Sequence, residues 1–383
     1  MKKITTLALI VTLCFNFCAS AVETIYQDIT INYQTGTEIS VSVGDGTYDF
    51  ITFDTATGSV TNANENIEKA DIPSVIEGVT VTTISANAFS SCTSLKAVYF
   101  PDTITSIGSL AFSGCSDLTT INIPANMQTI ATNAFDLCSY LVNITVDENN
   151  AHYKSVDGVL YNSSMTTLIQ YPIGNPRTSF SVPDGVVTIS SSSFKRSTYL
   201  KNISIPSSVT TISDYAFAEC YDLASVSIPN SVTSLGEYAF ANCSKLESVT
   251  LSTLLQTIPV GAFGSCSSLK SITIPSSVTS IDIYAFKQCV SLQNISISSN
   301  LNSIKASAFS DCTNLTDIYF KGSQSDWDLI DIASDNASLS SATTYFTVTT
   351  VTPNAEVDTT PNDTVEPEEV PEEELDDRLA DDE

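Results

Sequence analysis

PSSVTTISDYAFAECYDLASVSI, residues 206–228, decides how this chain folds, because the same phrase returns along most of its length at a regular period of about 23 residues. Phe89, Phe112, Phe135, Phe194, Phe217, Phe240, Phe263, Phe286 and Phe309 mark the beat, evenly spaced except for the long step from Phe135 to Phe194. A fixed period of this length is the signature of a solenoid, in which a unit cannot bury its apolar face alone and stacks on its neighbours. Within the unit, Leu223, Val226 and Ile228 follow the pattern L-x-x-L-x-L. Its last part alternates as a strand does, which predicts Val226 and Ile228 inward and Ser225 and Ser227 outward. Pro229 has no N–H to donate and suits the point where the chain leaves the sheet. Val232 and Leu235 begin the return path, and Ala239-Phe240 supplies the bulk that fills the coil.

The proline after the strand, the Ala-Phe pair and the cysteine three residues later, recurring together from about Ile72 to Phe346, resemble the leucine-rich repeats of BspA-like surface antigens. The resemblance implies a leucine-rich repeat array, an α/β-type solenoid dominated by short parallel β-strands. It also implies a secreted or surface-exposed protein that binds host or neighbouring-cell components, and it brings no shared catalytic residues.

Outside the repeat, Lys2-Lys3, an apolar run from Ile4 to Phe17 and Ala19-Ser20-Ala21 read as a signal peptide over residues 1–21, cleaved after Ala21. The run is shorter than the roughly 20 apolar residues of a membrane span. Residues 22–71 alternate apolar and polar residues, as in Ile39-Ser40-Val41-Ser42-Val43, and are expected to form a β-rich cap over the first coil of an array spanning 72–320. An insertion around 147–183 reads as a hairpin, Gly158–Tyr161 against Thr167–Tyr171, similar to one carried by BspA-like proteins. Residues 321–350 resemble the closing segment of such arrays, with Trp327 sealing the last core. Residues 356–383 hold 14 Asp and Glu against one Arg, so 351–383 is expected to be a disordered acidic tail.

The net charge of −28 argues against nucleic acid and anionic membrane surfaces as partners, and no second hydrophobic run follows the signal segment. Eight cysteines outside that segment, Cys92, Cys115, Cys138, Cys220, Cys243, Cys266, Cys289 and Cys312, each stand three residues after their Phe, with Ser197 in the interrupted unit. This register predicts a ladder of buried free thiols packing as small apolar groups, with disulfides between adjacent coils as the alternative. One histidine and no C-x-x-C pair argue against zinc. No phosphate loop, cofactor motif or nucleophile motif occurs, so the reading is non-enzymatic and without cofactor.

Candidate binding residues fall in two sets. On the outward positions of the predicted concave sheet, Tyr99, Asn122, Asn143, Asn202, Ser227, Thr250, Thr273, Asn294 and Tyr319 form a shallow, nearly uncharged surface suited to an extended protein or glycan. In the insertion, His152, Tyr153, Tyr161, Tyr171 and Arg177 gather aromatic and basic groups into a candidate contact surface, and His152 is the one histidine an enzyme would have to use. Asn-x-Ser/Thr sequons at Asn143, Asn162, Asn202, Asn294 and Asn336 are glycosylation sites only in a eukaryotic secretory pathway. The function expected is an adhesin-like interaction protein at the cell surface or secreted, binding extracellular protein or glycan. A structural envelope spacer and an enzyme built around His152 are the alternatives.

Overall fold

The computed structural model describes residues 31–33, 38–42 and 50–347. The signal segment and the acidic stretch 351–383 lie outside the described residues. Each unit of the repeat forms one coil with two short strands, and both pair in parallel with the same positions one period away. Ser225–Ser227 pairs with Ser248–Thr250, and Thr211–Ile212 with Ser234–Leu235. Val226 is buried while Ser225 and Ser227 are exposed, so the pleat places one residue in the core and its neighbours outside. The phenylalanines stack along the array, with Phe217 and Phe240 at a centroid separation of 5.0 Å and nearly parallel at 3°. Each of the nine is fully or almost fully buried. Burial of one such side chain contributes about 1.5–3 kcal/mol, and because the partner ring belongs to the next coil the stabilisation is shared between neighbours.

The third side of each coil, around the Phe, is neither strand nor helix. The residues two before and two after the Phe take left-handed backbone, as at Tyr215 (φ 56°) and Glu219 (φ 61°). Between these two positions every second N–H faces the following coil. Tyr215, Phe217 and Glu219 thus donate to the carbonyls of Glu237, Ala239 and Ala241 at 2.9, 2.7 and 2.7 Å. This third ladder satisfies backbone groups that would otherwise be orphaned between coils, which offsets the roughly 1–2 kcal/mol that a left-handed non-glycine residue costs. Helix is confined, among the described residues, to Gln324–Trp327 and Ala337–Ser341 in the closing segment.

One interruption of the ladders has a direct chemical cause. Gly236, Asp282 and Lys305 each donate an N–H to the preceding coil, at Ile212, Ile258 and Ile281. Pro259 stands at the same position without an N–H, and Thr257–Ile258 does not pair with Ser234–Leu235.

The interrupted unit differs from expectation in one respect. Tyr171 stands one period before Phe194 and stacks on it at 5.0 Å, so it is a further beat of the repeat inside what reads as insertion. The hairpin proper, Tyr153–Val156 with Val159–Asn162, leads into Thr167–Gln170. Thr167–Gln170 then joins the parallel ladder through Thr188–Ile189. Val159–Asn162 is buried on both faces. Leu160 packs with the core of Ile51 to Ile144, whereas Val159 and Tyr161 pack with the core that runs on to Leu339. The hairpin is therefore a partition between two hydrophobic cores.

At the amino-terminal end, Ile31–Tyr33, Glu38–Ser42, Phe50–Asp54 and Ser59–Ala63 form an antiparallel meander. Its last strand pairs in parallel with Thr83–Ile84 and so joins the array. At the other end, Asp331–Ile332 and Thr343–Phe346 extend both ladders by one enlarged coil. Trp327 is half-buried and meets Phe320 edge-on at 5.2 Å. Asn336 takes the place of a missing backbone: its Oδ1 accepts the Phe309 N–H at 2.9 Å, and its amide donates to the carbonyls of Lys305, Ala333 and Ser334. That side chain is 5% exposed, so the sequon at Asn336 is closed to modification in the folded protein.

The cysteines form a thiol ladder. All eight are free and buried. From Cys115 onward each Sγ donates to the carbonyl of the Phe one coil earlier, as Cys243 does to Phe217 at 3.2 Å. Burial pushes the Cys220 and Cys266 thiols up to about 12. Ser197 fills the same slot, but the carbonyl it would address, that of Tyr171, accepts the Gln170 amide at 2.8 Å, and Ser197 Oγ has no partner among the described residues.

Candidate functional site

Parallel pairing at one period brings equivalent side chains into rows across the sheet. Asn202, Ser225 and Ser248 form one row, continued in the next sheet by Ser271, Asn294 and Asp317. Ser204 lies beside it with Ser227 and Thr250, and Thr273, Ser296 and Tyr319 follow. Asn294, Ser296 and Asp317 are half-buried, and the others are exposed. Asp317 is the one ionisable group apart from tyrosine in these rows, so the surface presents hydroxyls and amides at the interstrand spacing of about 4.8 Å. Tyr345, stacked on Tyr319 at 5.4 Å, closes the row with a second exposed ring, and its hydroxyl is held up by a hydrogen bond to Asp317. Sequence periodicity misses Tyr345 because the last coil is longer than the period, so Tyr345 pairs with Tyr319 while standing out of step with the repeat.

The first part of the surface is separate. Thr120–Ile123 pairs with Asn143–Val146, and Thr145 Oγ1 donates to Asn122 Oδ1 at 2.9 Å. Tyr99 stands at the start of the array with Lys69 Nζ 4.8 Å from its ring centre. Asn143 is half-covered by the Asp157–Gly158 turn of the hairpin, where a Cβ on Gly158 (φ +82°) would come within 2.5 Å of Asn143 Oδ1. The nine residues expected on one concave sheet fall in four separately hydrogen-bonded sheets, Tyr99 in one and Asn122 with Asn143 in another before the partition, and Asn202, Ser227 and Thr250 in a third and Thr273, Asn294 and Tyr319 in a fourth after it.

The five insertion residues do not form a contact surface. Tyr161 and Tyr171 are fully buried, and burial pushes the Tyr171 hydroxyl up to about 12. Their aromatic bulk is used to fill the partition and the extra coil. Tyr153 is tied down at its tip, accepting the Ile130 N–H at 2.8 Å and donating to the Gln128 carbonyl at 3.3 Å. His152 and Arg177 are exposed. His152 flanks the open end of the hairpin beside Ser163, whereas Arg177 donates to the Asp157 carbonyl at the turn, at 3.3 Å. A four-residue strand of about 13 Å separates these ends. No side-chain hydrogen bond to the His152 ring occurs among the described residues, and no cluster of three or more His, Cys, Asp or Glu there could hold a metal ion. No helix among them is long and apolar enough to cross a membrane.

The family model of the BspA type leucine-rich repeat region matches residues 58–175, 174–267 and 248–355. The chain belongs to this family. Among solved structures, a leucine-rich repeat protein from Eubacterium ventriosum is 23% identical with a TM-score of 0.61, over 86% of this chain and 98% of that one. The pneumococcal vaccine antigen PcpA is 20% identical with a TM-score of 0.51, over 85% and 92% of the two chains. A leucine-rich cell surface protein from Faecalibacterium prausnitzii is 27% identical over 79% of this chain and 98% of that one, with a TM-score of 0.43. The first two establish the leucine-rich repeat solenoid as the fold of this BspA-type chain. Comparison with curated proteins gives no match.

Proposed function

We propose that the chain is an exported, non-catalytic interaction protein that binds an extracellular protein across the sheet surface from Asn202 to Tyr345. The observation that carries this reading is the rows of exposed hydroxyl and amide side chains ending in the stacked, exposed pair Tyr319 and Tyr345. Such rows have unspent hydrogen-bonding capacity across a broad, shallow face, and rigid tyrosines are the residues that interfaces favour as anchors. The signal-like segment at residues 1–21 supports export, and the net charge of −28 disfavours polyanionic partners.

Mature protein tested against matrix proteins, mucins and bacterial surfaces is expected to show saturable binding. Tyr319→Ala with Tyr345→Ala should weaken it about tenfold or more, since exposed anchors of this kind dominate interface energetics. Absence of saturable binding would favour a spacer role in the envelope. Reproducible turnover abolished by His152→Ala would replace the reading with an enzyme.

A further inference from the structure

On either side of each cysteine stand the residues two and four after the Phe, and successive coils set these into two parallel rows. In the coils of Phe217 to Phe309 the rows enclose an open groove of about 430 Å³. Five coils at the interstrand spacing give it a length of about 19 Å. Tyr221 and Val290 supply apolar surface, and Asn242, Ser265, Gln288 and Asp311 supply polar groups.

We propose that this groove binds a neutral oligosaccharide. Tyr221 is 41% exposed, yet its hydroxyl donates to Glu219 Oε2 at 2.8 Å. Glu219 is itself gripped by Arg196 through bonds of 2.7 and 3.3 Å. The ring is thus an exposed platform whose position is fixed in advance, which suits the apolar face of a pyranose. Ser265 donates to Gln288 Oε1 at 3.0 Å, which fixes the amide and leaves its N–H donors free. Asn242 and Asp311 make no side-chain hydrogen bond among the described residues, so donors and acceptors line the groove in the mixture that sugar hydroxyls require.

The groove holds one carboxylate and no basic group, on a chain of net charge −28, which disfavours phosphate, sulfate and acidic sugars. The site goes beyond the sheet-surface reading and shares with it only the premise that the chain is exported. Neither the repeat pattern nor the sheet register singles these residues out.

The test is saturation-transfer NMR of the full chain with maltotetraose, cellotetraose, mannotetraose and N-acetylchitotetraose, with a heparin tetrasaccharide as the anionic comparison. At least one neutral sugar should bind at about 1 mM, a concentration that populates even a weak complex. Tyr221→Ala should weaken that sugar about tenfold, the upper worth of one aromatic stacking contact. Asn242→Ala with Gln288→Ala should act similarly, and Tyr221→Phe, which frees the ring from Glu219, should give a smaller loss. Tyr221 is exposed, so an unchanged melting temperature accompanies its losses, whereas Asn242 and Gln288 stand at left-handed positions (φ 60°), where the alanine pair should lower the melting temperature slightly without unfolding the chain. No neutral sugar binding, preferential heparin binding, or full affinity in Tyr221→Ala would each overturn the proposal. A protein partner lost in Tyr221→Ala while no neutral sugar binds would also overturn it. Binding that depends on Tyr319 and Tyr345 survives failure of the groove, and sugar binding survives failure of the sheet surface.

Discussion

At the scale of single residues, the cysteine position shows how a small chemical preference becomes a ladder. A thiol is large enough to fill the space behind the Phe, and its long Cβ–Sγ bond reaches the carbonyl one coil back, 3.0–3.2 Å away from Cys115 onward. A hydroxyl reaches less far, and at the one slot that holds a serine the Tyr171 carbonyl is already taken by the Gln170 amide, so Ser197 Oγ is left without a partner among the described residues. Cys243→Ser is therefore expected to cost about 1–3 kcal/mol in denaturant unfolding, the penalty of a buried polar group poorly satisfied. Thiol titration should find eight reactive groups in unfolded, unreduced mature protein, since all eight are free. The same burial sets a pH dependence. Thiols held near 12 in the fold, as at Cys220 and Cys266, remain protonated where an unfolded chain ionises near its usual value of about 8.5. The unfolded state then binds fewer protons, so stability is full below about pH 8.5 and falls at higher pH until the folded values are passed. Each such thiol contributes a slope of about 1.4 kcal/mol per pH unit, and melting curves from about pH 7 to 11 should show an alkaline collapse. A melting temperature unchanged across that range would contradict the buried, ionisable ladder.

At the scale of elements, the ends and the partition matter more than the repeats between them. A ladder that always donates forward must end on acceptors, and the last coil finds them in the Ser334 carbonyl for Ser307 and in Asn336 Oδ1 for Phe309. Asn336→Ala leaves the buried Phe309 N–H without its acceptor and the Ala333 carbonyl without its donor, while the Lys305 and Ser334 carbonyls keep the N–H groups of Ala308 and Ser307. The expected loss is about 3 kcal/mol, with amide exchange at Phe309 accelerated far more than at Phe217. Asn336→Asp keeps the acceptor but loses the donors, and should fall between the two proteins. The hairpin has a comparable structural role. Its aromatic residues could be read as a contact surface, yet Tyr161 and Tyr171 are internal because Val159–Asn162 is packed on both faces.

At the scale of the whole array, stability is a sum of coils and contacts between nearest neighbours. Phe240→Ala removes a ring stacked on Phe217 at 5.0 Å and on Phe263 at 5.6 Å, and should cost about 3–5 kcal/mol. The damage is expected to spread through the coils that share its core and to stop at the partition, because Phe89, Phe112 and Phe135 belong to the other hydrophobic cluster. Hydrogen exchange should accordingly rise around Phe217 and Phe263 and stay near the wild-type rate around Phe112. Acceleration of equal size in both halves would show that the hairpin couples the cores.

The period, the beat of Phe, the inward and outward alternation of the strand and the register of the cysteines were all readable from the chain, because each depends on chemistry repeated locally many times. Repetition at a fixed period dictates parallel pairing of like with like, so the rows Asn202, Ser225 and Ser248 follow directly. Three features needed the tertiary structure. The left-handed positions hold Tyr, Glu, Asn, Ser, Leu and Gln as well as glycine, so no residue type announces them; the ladder between coils, not local propensity, holds them there. Tyr171 as a beat is hidden because the coil before it is enlarged and its hydroxyl breaks the Phe pattern, although its ring stacks as a phenylalanine does. The division of the sheet surface at the partition and the closing pair Tyr319 and Tyr345 depend on where the hairpin turn folds and how long the last coil is. Those are properties of contacts between distant segments, which a periodic sequence does not encode at the point where its period fails.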